Sequence, residues 1–227
     1  MTEKRRKRLK RAARRRRFKR FIIAAAVVIL GTCGYRLRNS MSEEKRQVLE
    51  TDLEEETEIS LFGKTIAAEE FSSLTINEAN VLETVSAYFD AKSRQDETAM
   101  QRIDPQADTQ SVLYYLNSAG ITSYQNIITW SREGNEEGSY FVFAAYEVVA
   151  EGVDTPIPSL SWMYLSGTED GKLCLLDISE DAGAQELAEG IRQSEEGQKL
   201  ISLAKEAYMQ ALESDTELSE YMEKFET

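Results

Sequence analysis

Apolar positions change period several times along this chain. From Phe21 to Tyr35 the run FIIAAAVVILGTCGY carries no charge over 15 residues. With Phe18 and Leu37 at its ends it reaches about 30 Å at about 1.5 Å per residue, the thickness of a bilayer's hydrocarbon core. This predicts a transmembrane helix, with Lys19, Arg20 and Arg36 snorkelling to the headgroups. Between Ser42 and Glu58 only Val48, Leu49 and Leu53 are apolar, among a dense run of Glu and Asp. Residues 38–73 therefore read as an acidic stalk.

From Thr75 the period is helical. Thr75 and Glu78 match a capping box, followed by Ala79, Val81, Leu82, Val85, Tyr88 and Phe89, which predicts a helix ending near Arg94. Asp96 is placed to cap a second, shorter helix carrying Met100 and Ile103, with Pro105 beyond it. A third runs from Asp108 to Ser118 and stops at Gly120. Then the period shortens. Ile121–Arg132 and Tyr140–Ala150 predict strands around a turn at Gly134–Gly138, and the second is apolar on both faces save for Glu147, as in a central strand. Val153–Pro158 should break the sheet, with two prolines within three residues. Leu160–Ser166 and Lys172–Ile178 predict a hairpin across Thr168-Glu169-Asp170-Gly171. From Asp181 helical stripes return: Leu187, Ala188 and Ile191, then Leu200 to Ala211, then a capping box at Ser214 and Glu217 that opens a last helix.

Charge gives this order a direction. Residues 1–20 hold 13 of the 27 Lys and Arg and one of the 40 acidic residues; the remainder is net −25. A basic head directly against an apolar span stays cytoplasmic, so the acidic bulk is extracytoplasmic. The head reads as a topology determinant that also sits on anionic lipid. It has no aromatic residue but Phe18 for base stacking, and no nucleic-acid partner is expected. An uncleaved signal anchor at 21–37 is favoured because no A-x-A site follows the apolar run. Leu30-Gly31-Thr32-Cys33 resembles a lipobox, which leaves lipidation at Cys33 as the alternative.

Composition removes several chemistries. There is no His, and there are two Cys, which excludes His-based triads and thiolate zinc sites. No metal site and no cofactor are expected. Cys174 reads as a buried, inert small hydrophobe. With 41% apolar residues the acidic part can bury one ordinary core. The predicted class is α+β: a transmembrane helix, about three helices against an antiparallel sheet, and C-terminal helices. The boundaries are a basic head at 1–20, anchor at 21–37, stalk at 38–73, α+β domain at 74–180 and C-terminal helical segment at 181–227.

The segment VLETVSAYFDA, Val81 to Ala91, followed by Asp96, resembles the nuclear-transport-factor-2-like superfamily, a cystatin-like cone in which a curved sheet wraps a long first helix. Tyr140–Leu165 and Ala211–Asp215 with Leu218 resemble uncharacterised single-pass membrane proteins of clostridial-type bacteria. The resemblance implies a cone over about 75–180, with Asp90, Tyr115, Tyr146, Glu147, Tyr164 and Asp177 as inward candidates. It carries little about function.

Glu147 is the only charge in an 11-residue apolar strand. Burial would raise its pKa toward that of a base, while a position at the rim, paired with Arg132, would make it structural, and the rim is the expectation. Asp177, at the end of the last strand, is weighed the same way. The aromatic residues Trp130, Trp162, Tyr140, Tyr146, Tyr164, Phe141 and Phe143 suit core packing better than a ligand groove. Glu147, Asp177, Tyr146, Tyr164 and Trp162 are the candidate ligand-binding set. The expected function is a membrane-anchored, extracytoplasmic, non-catalytic module that binds a protein or cell-wall partner. The alternatives are a small-ligand binder or sensor using the cone interior, an enzyme with Glu147 or Asp177 as base, and a scaffold subunit of a secretion or conjugation apparatus.

Overall fold

The computed structural model describes residues 58–168 and 170–225. The basic head, the anchor at 21–37 and residues 38–57 of the stalk lie outside them. Among the described residues six helices accompany an antiparallel sheet, a mixed α+β fold. The five-stranded sheet is a meander in chain order: β3 (Thr75–Ile76), β4 (Ile121–Glu133), β5 (Tyr140–Ala150), β6 (Ile157–Gly167) and β7 (Leu173–Leu175). A separate hairpin joins β1 (Glu58–Leu61) and β2 (Lys64–Ala67).

That hairpin corrects the stalk boundary. Its turn is Phe62-Gly63, both at positive φ (50° and 75°), the geometry of a two-residue hairpin turn. Leu61, Ile66, Phe71 and Leu74 are buried in the main core, so the folded unit extends back to Glu58 rather than starting at residue 74. Alternation puts Ile59, Leu61 and Ile66 on one face of the hairpin despite the acidic context.

The first helix, α1, is Ala79–Ser93. The capping box expected at Thr75 and Glu78 does not form. Thr75 and Ile76 pair with Ser131 and Trp130, and Asn77, at φ 52°, turns the chain. Asn77 N–H donates to Thr129 O (2.8 Å), and its Oδ1 accepts from Thr129 N–H (3.0 Å). The β ladder thus takes the residues that the box needed. Elsewhere the capping chemistry falls where side-chain oxygens allow it. Asp96 Oδ1 accepts from Ala99 N–H to start α2 (Glu97–Ile103). Asp108 does the same for α3 (Thr109–Ser118), Asp181 for α4 (Ala182–Gln193) and Ser194 for α5 (Glu195–Ser214). The last helix, α6 (Thr216–Glu223), is capped by Asp215 rather than Ser214, whose Oγ turns back to Ala211 O.

β6 starts at Ile157, so the predicted break at Val153–Pro158 is shorter than expected. Pro158 is tolerated because β7 pairs only with Leu165–Gly167; the first part of β6 has a strand partner on one side alone, the place where a missing N–H costs least.

The sheet is covered on both faces. On the first, α1 and α3 pack Val81, Val85, Phe89 and Leu116 onto Tyr124, Val142, Ala144, Tyr146 and Val148. On the second, the β1–β2 hairpin, Phe71, α4 and α5 bury Trp130, Phe141, Phe143, Ala145 and Leu160. α5 packs along β6 and supplies both cores: Leu200 and Ala204 to the second, Ala211 to the first. Residues 181–227 are therefore no separate segment; their described part closes the sheet. Tyr221 on α6 donates to Ala119 O, and burial, then the neighbouring Tyr115, pushes its pKa up to about 12.

Candidate functional site

Side chains alternate across a strand, and this divides the candidate set. Tyr146 points to the first face and Glu147, its neighbour, to the second. Tyr146 is buried with its ring 4.5 Å from Phe89 and 6.4 Å from Tyr124. Phe89 and Tyr124 are themselves 5.0 Å apart, so three packed rings fill the space between α1 and the sheet.

Glu147 is half-buried, and Arg132 is not its partner. Arg132 pairs in register with Phe141, six residues away along β5. Glu147 Oε2 accepts instead from Gln125 Nε2 (3.2 Å) and Asn126 Nδ2 (2.8 Å). Asn126 reaches it because β4 bulges between Gln125 and Ile128, with Asn126 at φ 60°. Two amide donors hold the carboxylate, which is a structural arrangement. Asp177 is exposed after β7, and its Oδ1 accepts from Ser179 N–H (2.8 Å) in a local turn. Asp90 is likewise outside, paired with Arg94 at 2.7 Å. The set does not converge.

Tyr164 is buried on the second face. Its hydroxyl accepts from Asn135 N–H (3.2 Å) and lies 3.1 Å from Ser139 Oγ. A side chain on Gly134 would collide with both hydroxyls, so glycine there lets the β4–β5 turn close over Tyr164. Cys174 is half-buried rather than buried, with Sγ 3.6 Å from Ser166 O.

Trp162 differs from the rest. In a row across the second face, Trp130 pairs with Phe143 and Phe143 with Trp162. Exposure climbs along that row from 0% and 1% to 40%. The Trp162 ring stacks on Phe141 at 5.9 Å and 19°. The Arg192 guanidinium, in the last turn of α4, lies over the Trp162 ring at 5.2 Å, and Arg192 is held by Glu189 at 2.7 Å. Leu176, another exposed apolar residue, donates its N–H to Tyr164 O, two residues from Trp162. The result is an exposed indole in contact with both an aromatic ring and a cation, with the exposed Leu176 on the neighbouring chain segment and the exposed acids Glu186 and Glu189 on α4.

The sequence favours core packing for Trp162 while keeping it in the candidate ligand-binding set. At 40% exposure it is the least buried of the strand aromatics on that face. Two open surface concavities lie elsewhere, along α5: one between Lys64, Lys205, Glu206 and Met209, the other between Glu70, Ser73, Glu196 and Lys199. Both are crossed by ties that hold the hairpin region to α5: Lys64 to Glu206 (3.3 Å), Ser73 to Glu196, and Lys199 to Glu70. Among the described residues no group of three or more His, Cys, Asp and Glu could hold a metal ion, and no helix is long and apolar enough to cross a membrane. No protein-family model, curated protein or solved structure matches the chain.

Proposed function

We propose that this chain is a membrane-tethered, extracytoplasmic module that binds a protein or envelope partner through the Trp162–Arg192–Leu176 surface. The observation that carries the reading is the exposed, pre-ordered indole. Trp and Arg are the residue types that most often dominate binding energy. Rings already held in place lose little freedom when a partner docks. The apolar run at 21–37 and the basic head at 1–20 support the tether and its direction. The packed rings of Phe89, Tyr124 and Tyr146 weigh against the alternative of a ligand held in a cone interior. A cone of the nuclear-transport-factor-2-like type remains a proposal resting on the sequence resemblance of Val81–Ala91.

The test uses the full chain in intact cells with a photo-cross-linking residue at Leu176. A discrete adduct is expected, and Trp162→Ala in the same chain should reduce it by at least tenfold, since a central Trp contributes about 2 kcal/mol or more. Tyr114, 78% exposed on α3, serves as the control: Tyr114→Ala should leave the adduct unchanged. An adduct that survives Trp162→Ala refutes the assignment of this surface.

A further inference from the structure

The Trp162 surface has a charged border, and Tyr164 ties that border together. The Tyr164 hydroxyl accepts from Asn135 N–H in the β4–β5 turn (3.2 Å), and its carbonyl oxygen accepts from Leu176 N–H just after β7 (2.9 Å). A Cβ on Gly183 would stand 3.4 Å from Asn135 Nδ2, so the first turn of α4 rests against the same β4–β5 turn. Trp162 is two residues from Tyr164 on the same face of β6, about 7 Å along the strand.

This border is acidic. The β4–β5 turn exposes Glu136 and Glu137, and the chain between β7 and α4 exposes Asp177, Glu180 and Asp181. Among the described residues none of the five has an ion pair. Asp177 and Asp181 accept from the local N–H groups of Ser179 and Ala184. The cations nearby are taken up elsewhere: Arg192 by Glu189 at 2.7 Å and Lys172 by Asp170 at 2.9 Å. That leaves Arg132, exposed and in register with Phe141, which in turn pairs with Tyr164. Five acids against one arginine give a net charge of −4 beside an exposed indole and an exposed leucine. Along α5 the balance differs, since Lys64 meets Glu206 and Lys199 meets Glu70.

We propose that the partner docked on the Trp162 surface is a cationic polypeptide segment, an apolar side chain flanked by Lys or Arg. The inference rests on the docking surface described above and names the chemistry of its partner. The apolar side chain packs on the indole and Leu176, where contact removes apolar area from water. The flanking cations meet carboxylates that have no cation of their own, and they relieve the repulsion among those acids. An envelope polymer rich in phosphate, or an anionic bilayer, meets like charge at the same border. A neutral glycan would use a bare indole face, whereas Phe141 is stacked on this ring at 5.9 Å and the Arg192 guanidinium stands over it. The two parts of the surface have separate kinetic roles. Rim charges steer encounter and set the association rate, while a central Trp governs dissociation.

The experiment uses the full chain in detergent, with the photo-cross-linking residue at Leu176, and two labelled peptides of equal length. One carries a leucine flanked by lysines, the other the same leucine flanked by glutamates. Anisotropy follows association and dissociation, and the cross-link locates the peptide. The lysine peptide should bind at least tenfold tighter than the glutamate peptide, and raising NaCl from about 0.05 M to about 0.5 M should slow its association about tenfold. Glu136→Gln, Glu137→Gln and Glu180→Gln combined should slow association about fivefold with little change in dissociation, whereas Trp162→Ala should mainly speed dissociation. Glu83→Gln, Glu213→Gln and Glu220→Gln combined are the control: these exposed acids lie on α1, on α6 and at the end of α5 that meets the first core. They change the net charge equally and should leave binding unchanged. Equal binding of the two peptides, or equal loss in the two triple variants, overturns the inference. In intact cells the two readings part. An adduct lost in Trp162→Ala but untouched by the border variant overturns the cationic partner and leaves the docking surface standing; an adduct that survives Trp162→Ala removes the surface itself.

Discussion

Phe71 decides where the folded unit begins. If residues up to 73 were stalk, Phe71→Ala would change stability by no more than about 0.5 kcal/mol, as exposed substitutions do. In the structure Phe71 is 0% exposed, with its ring 5.7 Å from Trp130 at 57° and the Lys199 ammonium 5.8 Å from its centre. A buried Phe side chain removes about 150–200 Å² from water, which at about 25 cal/mol/Å² is about 4–5 kcal/mol, and alanine retains a small part of it. The tilted ring pair adds about 0.5–1.5 kcal/mol, while partial collapse of the cavity offsets some of the loss. We expect Phe71→Ala to cost about 3–5 kcal/mol. Urea unfolding of the full chain in detergent, followed by the fluorescence of Trp130 and Trp162, measures it as a shift in midpoint at constant slope. Phe71→Leu, which fills most of the volume, should cost less than half as much. A loss below about 1 kcal/mol for the alanine variant would refute the placement of Phe71 under Trp130.

Two further substitutions test buried polar groups. The Tyr124 hydroxyl is buried and has no hydrogen-bond partner among the described residues, so Tyr124→Phe should hold or raise stability, by up to about 1 kcal/mol in the same unfolding assay; burial also pushes that phenol's pKa well up. Glu147→Gln should cost about 1 kcal/mol, because one oxygen can still accept from Asn126 or Gln125 but without charge assistance, and a double mutant with Arg132→Ala should be additive within about 0.5 kcal/mol, since the two do not touch.

Helix positions were legible because each rests on local chemistry. Asp96, Asp108 and Asp181 announce their helices by side chains that reach three residues forward. Tyr140–Ala150 was legible as a central strand because both faces are apolar, and both are indeed covered. Illegible features depended on partners distant in sequence. Thr75 and Glu78 carry a capping box, but Ser131 and Trp130, more than fifty residues on, take Thr75 and Ile76 into a ladder. The hairpin at Glu58–Ala67 was masked by the acidic run before it, although the positive-φ Phe62-Gly63 turn and its flanking alternation were in view. For Glu147 the sequence pointed to a cation as partner, and the structure shows the amides of Gln125 and Asn126. A bulge at Asn126 shifts which β4 side chain stands beside it, and nothing local in Gln125-Asn126-Ile127 marks that bulge as certain.

Trp162 stays exposed for a reason that lies in the corner between α4 and α5. Covering the middle of β6 on the second face would need a helix laid over the indole. β7 ends at Leu175, where the chain leaves the sheet through the Asp177–Ser179 turn. α4 stops at Gln193, and Ser194 caps α5 by accepting from Gly197 N–H at 3.1 Å. A Cβ at position 197 would run into the carbonyl oxygens of Ile191 and Arg192, so glycine there lets the end of α4 press onto the first turn of α5. That contact sets the last turn of α4 over β6 and brings Arg192, rather than an apolar side chain, above the indole. A cation in a helix's last turn also complements the unpaired carbonyls there. The corner therefore covers Trp162 with a group that leaves its edge accessible and keeps the ring in one orientation. Arg192 stands over the indole and Trp162 stays 40% exposed, the condition that the proposed docking through this surface requires.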